Sequence, residues 1–120
     1  MSDDTGPSLQ DVLSLLSELQ GRPGAEGRVV ELCDLFLTEL PRAKAPPVWA
    51  AVQGTRANAL LTLGEMTGEA SAIRAAVEGY DAALEVMTRD ALPAQWATTQ
   101  MNRANALLTL GEMTGEASAI

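Results

Sequence analysis

Apolar positions along the chain fall at helical spacing. Leu9 is followed by Val12, Leu13, Leu16 and Leu19 at 3, 4, 7 and 10 residues, and Val29 by Cys33, Phe36, Leu37 and Leu40 at 4, 7, 8 and 11. Further on, Ile73, Val77, Tyr80, Leu84 and Met87 step by 4, 3, 4 and 3. Such steps gather side chains on one face of a helix, whereas a half-buried strand needs strict alternation. No alternating run of β-branched residues occurs, so the pattern predicts an all-α chain. Gly21, Pro23, Gly24 and Gly27 separate the first two stripes. Pro46 and Pro47 precede a helix expected from about Val48 to Leu63, with Gly64 closing it in a left-handed conformation. A helix from about Ala70 to Arg89 follows, then Pro93, then a helix from about Ala94 to Leu110.

The stripes repeat. RANALLTLGEMTGEASAI spans Arg56 to Ile73 and recurs letter for letter from Arg103 to Ile120, an offset of 47 residues. The same offset pairs Trp49 with Trp96, Gln53 with Gln100, Asp34 with Asp81, Arg42 with Arg89 and Leu16 with Leu63. A fixed period of this size signals stacked supersecondary units. The chain is expected to hold about two and a half units of two antiparallel helices each, A and B, over about 8–46, 47–93 and an incomplete 94–120. Residues 1–7 are expected to be a disordered N-terminal segment.

Ala76, Tyr80 and Ala83 give a small–aromatic–small spacing, and WATTQMNRANALLTLGE runs from Trp96 to Glu112. Together with the period, these residues resemble the tetratricopeptide repeat (TPR) family, in the long-repeat form common in bacterial multidomain proteins. The resemblance covers about residues 8–120 and implies a TPR-like α-solenoid. Departures are visible: Ala57 and Ala104 stand where glycine is usual, and Arg56 and Arg103 where leucine is usual. The unit is also longer than the usual 34 residues.

Charge changes the picture little. Sixteen acidic residues stand against eight basic ones, a formal net charge of −8. The arginines are spread thinly rather than clustered, so nucleic acid is not expected as a partner. No apolar run approaches the ~18 residues of a membrane span, and the first residues carry Asp3 and Asp4, unlike a signal peptide. A lone cysteine permits no internal disulfide, and a cytoplasmic location is expected.

Catalysis has little to stand on. The chain has no histidine, the commonest general base near neutral pH. Cys33 lies in an apolar stripe and reads as a core residue. The pairs Glu31–Asp34 and Glu78–Asp81 are short of ligands for a metal and read as solvated faces. No enzyme activity, cofactor or metal is expected.

The resemblance instead implies a protein-protein interaction scaffold, binding a peptide or protein on its A-helix surface. It places Ala51, Gly54, Asn58, Leu61 and Thr62 on that surface, then Thr98, Met101, Asn105, Leu108 and Thr109. Asn58 and Asn105 suit either of two roles. An asparagine amide both gives and accepts hydrogen bonds, which fits an extended peptide backbone, and equally fits a tie between neighbouring helices. Trp49 and Trp96 are expected to pack the joint between one unit's helix B and the next helix A. Arg56 and Arg103 are expected to pair with an acidic residue such as Glu78 or Asp81.

Repeat units bury their stripes only against neighbours. A last helix A without its helix B leaves Ala104, Leu107, Leu108 and Leu110 as candidates for an open apolar face. Two expectations follow: the natural chain continues past Ile120, or the open end docks on another copy. The second gives an alternative function, a structural self-assembly module forming a homo-oligomer or domain swap.

Overall fold

The computed structural model describes residues 8–115. Five helices follow in order: α1 Leu9–Leu19, α2 Glu26–Glu39, α3 Pro46–Thr67, α4 Ala70–Leu84 and α5 Pro93–Thr114. The described residues contain no strand. None of their helices is long and apolar enough to cross a membrane. The expected segment at 1–7 and the last residues of the third unit, 116–120, lie outside the described residues.

Local chemistry sets the helix ends. Ser8 Oγ accepts from the Asp11 amide while the Asp11 carboxylate accepts from the Ser8 amide, a reciprocal cap that starts α1. Pro46 and Pro93 take the first helical positions of α3 and α5, where a missing N–H costs nothing. Gly68 and Gly115 close these helices at φ 74° and φ 75°.

Gly64 therefore does not end α3, contrary to the sequence expectation. It is buried one turn earlier, where a Cβ would lie 2.6 Å from Ile73 Cδ1. The glycine is there for close approach, not for its dihedral. On the facing helix, a Cβ on Gly79 would lie 3.1 Å from Ala57 Cβ. α3 and α4 thus press together at two points, each helix giving up a side chain at one.

Helix α4 also stops short of the expected Arg89. The amides of Glu85 and Val86 bond three residues back, to Ala82 and Ala83, which tightens the backbone. Met87 then turns inward to join Ala50 and Ala83.

Each helix packs on the next, and α3 also touches α5. Contacts fix the directions. Asp34 meets Arg56 and Arg42 meets Trp49, so α2 and α3 are antiparallel. Ala57 facing Gly79 and Gly64 facing Ile73 make α3 and α4 antiparallel too. Asn58 meets Asn102 and Glu65 meets Thr109, so α3 and α5 run the same way. The body measures 55 × 35 × 20 Å. Its apolar interior lies in successive clusters: Val12, Leu16, Val29, Leu32, Cys33 and Phe36 with Val52 and Ala59, then Ala57, Ile73, Ala76 and Tyr80 with Ala106 and Leu110. Leu110, a candidate for the open face, is thus packed inward.

Candidate partner-binding surface

The joints between the helix pairs are built twice. Arg56 Nε meets Asp34 Oδ1 at 2.6 Å, and Arg103 Nε meets Asp81 Oδ1 at 2.5 Å. Both arginines pair with an aspartate of the preceding helix, so Asp81 is a partner as expected and Glu78 is not. Arg42 stacks 5.3 Å from the Trp49 ring centroid, and Arg89 5.8 Å from that of Trp96. Both tryptophans are half-buried at these joints.

Two grooves open on either side of α3 and share Thr55 and Asn58. The first, about 550 Å³, lies between the α1–α2 turn and α3, with Arg22, Glu26 and Met66 among its walls. The second, about 360 Å³, lies between α3 and α5. Ala51, Gly54 and Thr55 of α3 face Ala94, Gln95, Thr98, Thr99 and Asn102 of α5, with Tyr80 and Met87 beneath. No charged side chain lines this second groove.

Asn58 lies at the centre. Its Oδ1 accepts from the Tyr80 hydroxyl at 2.5 Å and from Asn102 Nδ2 at 3.3 Å. This ties α3 to both α4 and α5. Among the described residues, Asn58 Nδ2 and Asn102 Oδ1 take no partner, which leaves a donor and an acceptor side by side. Burial pushes the Tyr80 phenol up to about 12, with the Glu65 charge adding to the shift. The hydroxyl is therefore a fixed donor at neutral pH.

Of the residues the sequence places on the surface, Ala51, Gly54, Asn58 and Thr98 line the second groove, and Asn58 and Thr62 the first. Leu61 packs against the cluster around Tyr80. Met101, Asn105 and Leu108 are exposed on α5 outside both grooves, and Thr109 donates to Glu65 Oε2 at 3.5 Å. Thr55, Gln95, Thr99 and Asn102 are groove residues that sequence reasoning missed.

A signal for them existed in the differences between the copies. From Pro47 to Thr55 and from Ala94 to Asn102, the two helices agree at three positions and differ at six. Eight of the twelve residues at differing positions line the second groove. None of the six at agreeing positions (Trp49, Ala50, Gln53 and their counterparts) does so. Cys33, by contrast, is fully buried, and burial pushes its thiol up to about 12, so it is an unreactive core residue.

Compared with protein-family models, curated proteins and solved structures, the chain matches none.

Proposed function

We propose that this chain is a protein-interaction scaffold that binds an uncharged, extended peptide segment in the groove between α3 and α5. One observation carries the reading. Over the first nine compared positions of two helices that then run identically, eight of the twelve residues that differ line that groove and none of the six that agree does; Asn58, from the identical stretch, completes it. Packing explains the shared letters; a ligand explains why the groove letters depart. The neighbouring free donor on Asn58 and free acceptor on Asn102 match the N–H and C=O of an extended backbone.

The fold reading is a tetratricopeptide-like α-solenoid. Its support is the 47-residue period, the parallel run of α3 and α5, and the burial of Ala76, Tyr80 and Ala83 against the preceding helix. A reducing compartment such as the cytoplasm fits the single buried thiol.

A displayed library of random peptides tests the function. Selected binders should lose roughly tenfold or more in affinity on Thr98→Lys, which puts a charge into a neutral groove. They should weaken on Asn102→Ala and be indifferent to substitution of the distant Glu39. Failure to select any binder, or binders that ignore Thr98→Lys, would overturn the proposal.

A further inference from the structure

The two helices that wall the second groove can be compared position by position. Gly54 of α3 matches Met101 of α5, and Thr99 of α5 matches Val52 of α3. Gly54 and Thr99 line the groove, while Met101 and Val52 do not. At both pairs the groove holds the residue that serves the fold less well.

Gly54 sits in the interior of α3, where glycine weakens a helix relative to ordinary residues. Other glycines have a structural reason. Gly68 and Gly115 adopt positive φ, and Gly64 and Gly79 make room for a facing side chain. Gly54 has neither reason: its φ is not positive, and a Cβ there would meet nothing within 4 Å. Thr99 is the second exception. It is 7% exposed, and Val52 in the same place on α3 is 3% exposed. Thr38, Thr55, Thr62, Thr67 and Thr114 turn their hydroxyls back onto the carbonyl four residues earlier. Thr99 instead donates to Met87 Sδ at 3.4 Å, a weak acceptor, and its oxygen accepts from no donor among the described residues. Burying a hydroxyl with so poor a partner carries a penalty that valine avoids. Departures of this kind, with no gain to the fold, mark functional positions.

We propose that Gly54 and Thr99 form the specificity pocket of the groove, and that it takes an aromatic side chain with a donor at its tip, tyrosine or tryptophan, from the bound peptide. The inference rests on the peptide-binding reading of this groove. Without a Cβ at Gly54, a flat ring can reach the backbone of α3 above Met87, whose sulfur suits an aromatic neighbour. The Thr99 oxygen, its proton directed at Met87, accepts from the phenol or indole tip. The pocket depends on nothing past α5. Both helices that follow α3 in the period, α4 and α5, are in place, and α5 is itself one wall.

The probes are library-selected peptides that Thr98→Lys displaces, titrated onto the full chain by fluorescence anisotropy. They should share one tyrosine or tryptophan. Gly54→Met, which copies the letter of α5, should weaken them about tenfold or more while raising the thermal midpoint by about 3–6 °C. Replacing the peptide's tyrosine by phenylalanine, or its tryptophan by naphthylalanine, should weaken binding about fivefold or more. That difference should vanish on Thr99→Val, a variant that should not lower the midpoint. Removing residues 2–6 should leave the affinity unchanged; a gain on removal would make the chain's own segment the occupant and overturn the proposal. A fall in midpoint on either Gly54→Met or Thr99→Val would show that the fold needs these residues and equally overturn it. Peptides displaced by Thr98→Lys but indifferent to both pocket variants would overturn the pocket and leave the groove reading standing, whereas the absence of any binder would overturn both.

Discussion

Helices α3 and α5 share every letter from Arg56 to Thr67 and from Arg103 to Thr114, yet they are not the same object. Ala57 is sealed beneath α4 while Ala104 faces outward. Asn58 holds a tyrosine and a second asparagine, while the Asn105 side chain makes no hydrogen bond among the described residues. Arg56 and Arg103, in contrast, make the same ion pair with the same geometry. A residue's energetic role is set by the neighbour on its face. One side of the repeated segment finds that neighbour in the preceding pair, and the other side finds it in the helix that follows.

Matched substitutions separate those sides. The largest difference is expected for alanine to leucine. Ala57→Leu would overpack the approach of Gly79 and destabilise by about 2–3 kcal/mol, whereas Ala104→Leu should stay within about 0.5 kcal/mol. Urea denaturation of the two variants decides this, and equal costs would remove the contrast.

Alkali probes the same buried layer. Tyr80 and Cys33 have folded values of about 12 against ordinary values of 10.0 and 9.0. For both, the neutral form is favoured by folding. Their contribution is complete below the ordinary values and is lost as pH rises through the window toward about 12. Tyr80 is the only tyrosine, so tyrosinate absorbance should lag until well above pH 10 and rise with unfolding. A simple titration at the ordinary value would contradict its burial.

Asn58→Ala strands the Tyr80 hydroxyl and should cost about 1–2 kcal/mol; Asn105→Ala should cost less than about 0.5 kcal/mol. The smallest effect should fall equally on both copies. Arg56→Gln and Arg103→Gln are each expected to cost under about 1 kcal/mol, and less in high salt, because both pairs are partly solvated. Unequal losses would show that the two joints differ after all.

Much of the fold was legible. Three-and-four spacing located α1, α2 and α4, while the prolines before α3 and α5 and the 47-residue period located those two helices and the joints. The end of α3 was misread because Gly64 was taken for the cap, and only the position of Ile73 on the next helix shows that Gly64 lacks a Cβ for packing instead. The groove was read in part. Ala51, Gly54, Asn58 and Thr98 were found by transferring a family pattern, which names helix positions without comparing the two copies. Thr55, Gln95, Thr99 and Asn102 lie where the copies part, and their significance needed the two helices side by side.

The ion pair at each joint has a consequence for the length of the molecule. Asp34 and Arg56 are 22 residues apart, as are Asp81 and Arg103. Excising residues 57–103 would join Arg56 to Ala104, the same dipeptide as before. The shortened chain would meet Asp34 with an unchanged guanidinium, under an unchanged tryptophan clasp. Whole units can thus be lost or duplicated in the gene without inventing a single new seam, so reach can vary while the hinge chemistry stays fixed.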